Sequence, residues 1–226
     1  MRTSTLVPVV AGLVAIAAVA LAAAPTYSAL TAGADLVVGA GGTSDGGAVA
    51  SSGPVDLVTI DDRDLATPSH ASAAFVPLAP DDRYDPGRTF RLEVGVADND
   101  PDVAAAVTVA VVPVDAAGTG QVGTSPNATP LLLVTVIDRT TGEVLIGGSA
   151  TDARRGAAVA DASGMLGHLA ARDADPLDTG DRWASGAAQS RHDLEVLVYC
   201  PDSPGARALA DARSDLALML YGIGQP

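Results

Sequence analysis

The ten residues Arg88–Ala97, RTFRLEVGVA, set the terms for what this chain can fold into. Phe90, Leu92, Val94 and Val96 share one parity, and Arg91, Glu93 and Gly95 share the other. Period two places side chains alternately on the two faces of an extended strand, one toward a core and one toward water. The pattern recurs. Ala104–Val114 puts Val107, Val109 and Val111 on one face. Leu131–Asp138 and Glu143–Ile146 flank Arg139-Thr140-Thr141-Gly142 as a hairpin with a turn wider than two residues. In His192–Tyr199, Leu194, Val196 and Val198 alternate with Glu195, Leu197 and Tyr199, so both faces read as mostly buried. Val55–Ile60, Ala73–Leu78 and Ser214–Tyr221 are shorter candidates. Turn clusters separate them: Asp61–Pro68, Pro80–Gly87, Asp98–Asp102 and Ala116–Pro130. Seven or eight short strands divided by turns predict an all-β chain. The expected form is an antiparallel β-sandwich, jelly-roll or immunoglobulin-like, with short helical excursions.

Two segments depart from this pattern. Thr151–Arg172 is Ala-rich and poor in β-branched residues, which predicts a helix broken at Gly156 and Gly164. With the loop to Gly186 it forms a helical and loop insert over 151–186. Ser203–Arg213 predicts a short helix with Ser203 as N-cap and Pro204 in first position.

The N-terminus reads as an export signal. Leu6–Ala24 runs nineteen residues without a charge and is rich in Ala. Small residues close it at Ala22-Ala23-Ala24, and again at Ala32-Gly33-Ala34. Residues 1–34 are therefore expected to be a signal helix cleaved between 23 and 34, with signal peptidase as partner during export. The same run is long enough to span a bilayer, so an uncleaved anchor is the alternative. Residues 35–226 are expected to form one domain, with a Gly/Ser/Ala-rich flexible arm at 39–53.

Charge narrows the function classes. The 13 basic residues are all Arg and face 27 acids, for a net charge of −14. Arg2 is the only charged residue before Asp35, so the exported part carries 12 bases against 27 acids, net −15. Nucleic-acid binding needs a basic face, which this composition excludes. Membrane contact is expected only through an uncleaved signal. Aromatics are 3 % of the chain, too few for a platform that stacks bases or sugars. The single cysteine, Cys200, excludes an intrachain disulfide.

Motifs with chemical meaning lack their structural context. Gly42-Thr43-Ser44-Asp45-Gly46 matches a nucleophile elbow but lies in Gly/Ala/Ser coil rather than between a strand and a helix. Gly118-Thr119-Gly120-Gln121-Val122-Gly123 matches a dinucleotide loop but is followed by Thr124-Ser125-Pro126-Asn127 instead of a helix. His70, His168 and His192 lack metal-ligand spacing. Asp98, Asp100 and Asp102 alternate as in a Ca²⁺ loop, without the Gly and Glu an EF-hand requires. They are a candidate metal set, as are Asp61, Asp62 and Asp64, and no metal site is assigned. No catalytic residue and no cofactor are expected.

The order of segments resembles the TasA/camelysin-like family of secreted bacterial proteins with a SipW-type signal. The phrase Tyr27-Ser28-Ala29-Leu30-Thr31-Ala32-Gly33-Ala34-Asp35-Leu36 is similar to the start of that family's mature region. Pro80–Gly87 followed by Arg88–Asn99 matches its turn and long strand. Leu194–Tyr199, Pro201–Arg213 and Leu216–Gln225 match its closing strand, helix and strand. The absence of Lys with abundant Ala, Gly and Arg looks like an actinobacterial version. The resemblance implies a fibre-forming protein of the biofilm matrix. It also implies assembly by donation of an N-terminal strand, here Leu30 with Leu36, Val37 and Val38.

The expected function is a secreted, non-enzymatic structural subunit of the extracellular matrix or cell surface. Its partners would be further copies of itself or related matrix subunits. The alternatives are a secreted β-sandwich binding or adhesion module, Ca²⁺-dependent in one version, and a secreted hydrolase.

Overall fold

A computed structural model describes residues 55–78, 83–115, 117–186, 191–209 and 212–225. The predicted signal, the arm 39–53 and the donor residues Leu30, Leu36, Val37 and Val38 lie outside the described residues.

The alternation at 88–97 is realised as strand β4 (Thr89–Asp98), whose Phe90, Leu92, Val94 and Val96 pack into the main core. Around it the chain forms β1 (Leu57–Ile60), β2 (Ala66–Pro68), β3 (Ala73–Pro77), β5 (Ala104–Pro113), β6 (Leu133–Asp138) and β7 (Val144–Ile146). Then follow β8 (Ala157–Ala158), β9 (Ser163–Leu169), β10 (Arg191–Tyr199), helix α1 (Pro204–Ala208) and β11 (Leu216–Gln225). Two antiparallel sheets result, so the protein is an all-β sandwich. The larger runs β2-β1-β4-β10-β6-β7, with β8 also on β6; the smaller runs β3-β11-β5-β9.

Between the sheets lies one core. The larger sheet supplies Val94, Val96, Val134, Val136, Leu194, Val196 and Val198; the smaller supplies Val107, Val109, Val111, Leu166, Leu169, Leu218 and Leu220. Each fully buried aliphatic side chain stabilises the fold by about 1.5–3 kcal/mol. A second cluster lies on the outer face of the larger sheet. There Val58, Ile60, Ala66 and Ala97 are covered by Leu177 and Trp183.

The strap carrying those two residues connects β9 to β10. Asn99, 1 % exposed, pins it. Its side-chain amide donates to the Leu177 carbonyl (3.1 Å) and its oxygen accepts the Leu177 N–H (2.8 Å). The same amide donates to Asp56 Oδ2 at 2.8 Å.

The helix expected over 151–172 is not formed. That segment makes 3-10 turns at Ala153–Arg155 and Val159–Asp161, the short β8, and β9, whose Ser163–Leu169 pair with β5. Alanine's helix preference amounts to less than about 1 kcal/mol per residue, and pairing along the edge of β5 overrides it. The glycines read as breakers allow close approach. A Cβ on Gly156 would lie 2.8 Å from the Val134 backbone, and one on Gly164 would collide with the Leu145 carbonyl. Gly167, at φ +100°, accommodates a bulge opposite Val107 and Thr108 that leaves Leu166 pointing inward.

Smaller differences follow the same logic. The acidic turn 61–68 ends in β2. The Ser203-capped helix stops at Ala208, while β11 runs on to Gln225 past Gly222 and Gly224. Gly222 is bare because the core residue Val55 fills its place: a Cβ there would meet Val55 Cγ2 at 2.6 Å. Among the described residues no helix is long and apolar enough to cross a membrane.

Candidate interaction surface

The smaller sheet differs from the larger one in chemistry. None of the residues of β3, β5, β9 and β11 is Asp, Glu, Lys or Arg. The larger sheet carries Arg91, Glu93 and Asp98 on β4, Asp138 on β6, and Arg191, Asp193 and Glu195 on β10.

Strand register defines the outer face of the smaller sheet. One row runs Ser163, Ala110, Met219, Phe75; the next Met165, Thr108, Tyr221, Ala73; a third His168, Ala106, Ile223. Met165 is 60 % exposed, Ile223 47 % and Tyr221 36 %, the three large hydrophobics most open to water among the described residues. Isolated exposed apolar residues need no explanation, but a contiguous apolar patch marks a contact surface. Here Met165, Thr108 and Tyr221 are register neighbours, and the Thr108 hydroxyl lies 3.5 Å from the Met165 sulfur.

The candidate carboxylates Asp98, Asp100 and Asp102 point different ways. Asp98 points inward from the end of β4 and is fully buried. Its Oδ1 accepts the Asp100 N–H at 2.9 Å, and its Oδ2 is buried without a hydrogen-bond partner. Burial pushes its pKa from 3.8 up to about 7; the Asp100 N–H opposes the rise, and the Asp100 and Asp56 carboxylates add to it. Asp100 instead closes the turn, accepting the N–H groups of Asp102 and Val103 at 2.9 Å each. Among the described residues no three His, Cys, Asp or Glu side chains are grouped so as to hold a metal ion.

The other sequence motifs resolve into structural parts. Gly118–Gly123 is a turn organised by Asp115, whose carboxylate accepts from Ala117 N, Thr119 Oγ1 and Gly120 N. The elbow-like Gly42–Gly46 lies outside the described residues. Cys200 is buried, and that burial, with Asp85 nearby, raises its thiol pKa.

Two polar clusters escape sequence reasoning. His192 Nδ1 lies 2.8 Å from Asp138 Oδ2. Burial alone would raise the Asp138 pKa, but hydrogen bonds from Thr141, His192 and the Thr140 N–H outweigh it and lower it. The second cluster is Glu195, 0 % exposed on the outer face of β10 and clamped by Arg91 Nε (2.7 Å) and Arg139 Nη2. An open cavity of about 480 Å³ adjoins it, lined by Thr89, Arg91, Ala150, Thr151, Ala153 and Leu197.

The sequence signal for the apolar face is the absence of charge from four strand segments of a very acidic chain. It becomes visible only once register unites those segments. No family model matches the chain, and no curated protein matches it.

Proposed function

We propose that this protein is a secreted, non-enzymatic structural subunit of the extracellular matrix or cell surface that assembles with copies of itself by N-terminal strand donation. One observation carries the proposal: a chain of net charge −14 keeps one whole sheet free of charge, with an apolar outer face. Sheet edges pair readily with an added extended segment through main-chain hydrogen bonds, and charges on edge strands are the usual defence against it. The edge strands of the smaller sheet, β3 and β9, lack this charge; β3 ends in Pro77 and β9 bears a bulge at Gly167.

The donor would be Leu30–Val38. The chain after it reaches the sandwich at Val55, 1 % exposed and packed on Gly222 of β11. The arm therefore joins the sandwich two residues before β1 of the larger sheet, with Val55 reaching across the core to β11. A flexible linker the length of residues 39–53 has a root-mean-square span of about 20 Å, enough to reach a neighbour's edge.

The test is negative-stain electron microscopy of the chain beginning at Pro25, at neutral and mildly acidic pH. Regular fibres that vanish when residues 25–38 are deleted are the expected result. Monodisperse particles under every condition would overturn the proposal.

A further inference from the structure

We infer that the outer face of the smaller sheet is a second, lateral interface, on which the same face of another copy packs sheet to sheet. This rests on the structural-subunit reading, but it does not depend on the N-terminal arm.

Shape is the first argument. β11 raises a ridge of Met219, Tyr221 and Ile223. The adjacent β5 presents Ala110, Thr108 and Ala106 at the same register positions, a shallow trough of small side chains. A two-fold axis between β5 and β11 lays the ridge of each copy in the trough of the other. A two-fold contact must be self-complementary in this way, because the same patch serves both sides. Met165 on β9 flanks the trough and widens the contact.

Charge is the second. Two copies of a −14 chain repel, and most faces would bring carboxylates together. This face brings none, since its strands hold no Asp or Glu; they hold no Lys or Arg either, and His168 on the edge strand β9 is the one basic side chain. A basic partner would find no carboxylate on it.

Area is the third. Four strands spaced about 4.8 Å apart, each rising about 3.3 Å per residue, give a face of about 500–600 Å². Two such faces bury about 1,000–1,200 Å², the lower end of specific interfaces. The expected pair is therefore reversible, as suits lateral packing of filaments held along their length by donated strands.

Sedimentation equilibrium of the chain lacking residues 25–38, which has no strand to donate, tests this. That chain should show a two-copy mass at concentrations of about 10–100 µM. Adding Met165→Glu with Ile223→Glu to it should give a one-copy mass and an unchanged far-UV circular dichroism spectrum. If the glutamate pair disturbs the spectrum, Ile223→Ser replaces it and should weaken pairing at least about tenfold. A two-copy mass that survives the face variants overturns the inference. A one-copy mass for the chain lacking 25–38 overturns the lateral interface too, while fibres from the chain that keeps its arm would leave strand donation standing.

Discussion

Replacing Asp98 by asparagine should flatten the decline of stability with rising pH. Asp98 is fully buried, one of its oxygens has no partner, and burial holds its pKa at about 7 instead of 3.8. The native state therefore holds a proton that the unfolded state releases between about pH 4 and pH 7. Stability falls as pH rises through that window, because the unfolded state binds fewer protons there. The rise from 3.8 to about 7 corresponds to about 4 kcal/mol. The penalty is nearly absent at pH 4 and complete by pH 8. Asparagine keeps an acceptor for the Asp100 N–H and carries no charge. Its buried amide group costs about 1–3 kcal/mol, but that cost does not vary with pH. Urea unfolding of parent and Asp98→Asn at pH 4 and pH 8, at fixed ionic strength, removes it by subtraction. The stability difference, variant minus parent, should rise by about 2–4 kcal/mol from pH 4 to pH 8. Curves that stay parallel within about 0.5 kcal/mol would refute the claim that Asp98 is a buried, protonated acid.

Glu195 offers a contrast between removing a buried charge and stranding one. Arg91→Ala with Arg139→Ala leaves a fully buried carboxylate unpaired and should cost about 3–5 kcal/mol in chemical unfolding, whereas Glu195→Gln frees only two half-exposed arginines and should cost less than half of that. Asn99→Ala removes both hydrogen bonds to Leu177 and the bond to Asp56, so it should lower stability by about 2–4 kcal/mol. Its signature is faster amide hydrogen exchange in the strap around Leu177 and Trp183. Thr141→Val deletes the 2.7 Å bond to Asp138 and should cost about 1–3 kcal/mol at pH 7. Because Asp138 titrates below its ordinary value when folded, that cost should be constant above about pH 4 and shrink as pH falls through the folded value.

Strands that present one apolar and one polar face were legible from the chain alone. Phe90-x-Leu92-x-Val94-x-Val96 and Val107-x-Val109-x-Val111 appear as β4 and β5 with the predicted faces inward. β9 was not legible, because Gly164, Gly167 and the exposed Met165 and His168 break the alternation and alanines surround it. It is a strand because β5 needs a partner, a condition no local window contains. The pattern of the last strand, read over Ser214–Tyr221, stops short of Gly222 and Gly224, whereas β11 continues through them and Gly222 is the gap into which Val55 packs. Asp98, Asp100 and Asp102 had Ca²⁺-loop spacing, yet the strand end turns Asp98 into the interior and the turn uses Asp100 for its own N–H groups. Spacing along the chain says which carboxylates are near one another. It does not say which way they point. The apolar face illustrates a further limit: β3, β5 and β11 are readable alone and β9 is not, and the four lie far apart in sequence, so only register makes them one surface.

The division of charge between the sheets gives pairing a salt dependence of definite sign. A net charge of −14 repels a second copy at long range, and that repulsion acts outside the contact because the contact itself is neutral. Screening shortens its reach from about 30 Å at 0.01 M salt to about 8 Å at 0.15 M. The apolar contact gains or loses little over the same range, since burial of Met165, Tyr221 and Ile223 involves no ions. Pairing of copies through the uncharged face should therefore tighten as salt is added. A complex in which this acidic chain met a basic partner would loosen instead, since attraction is screened as repulsion is. The sign of that slope thus separates self-assembly through the neutral sheet from recruitment of a basic partner by the acidic remainder.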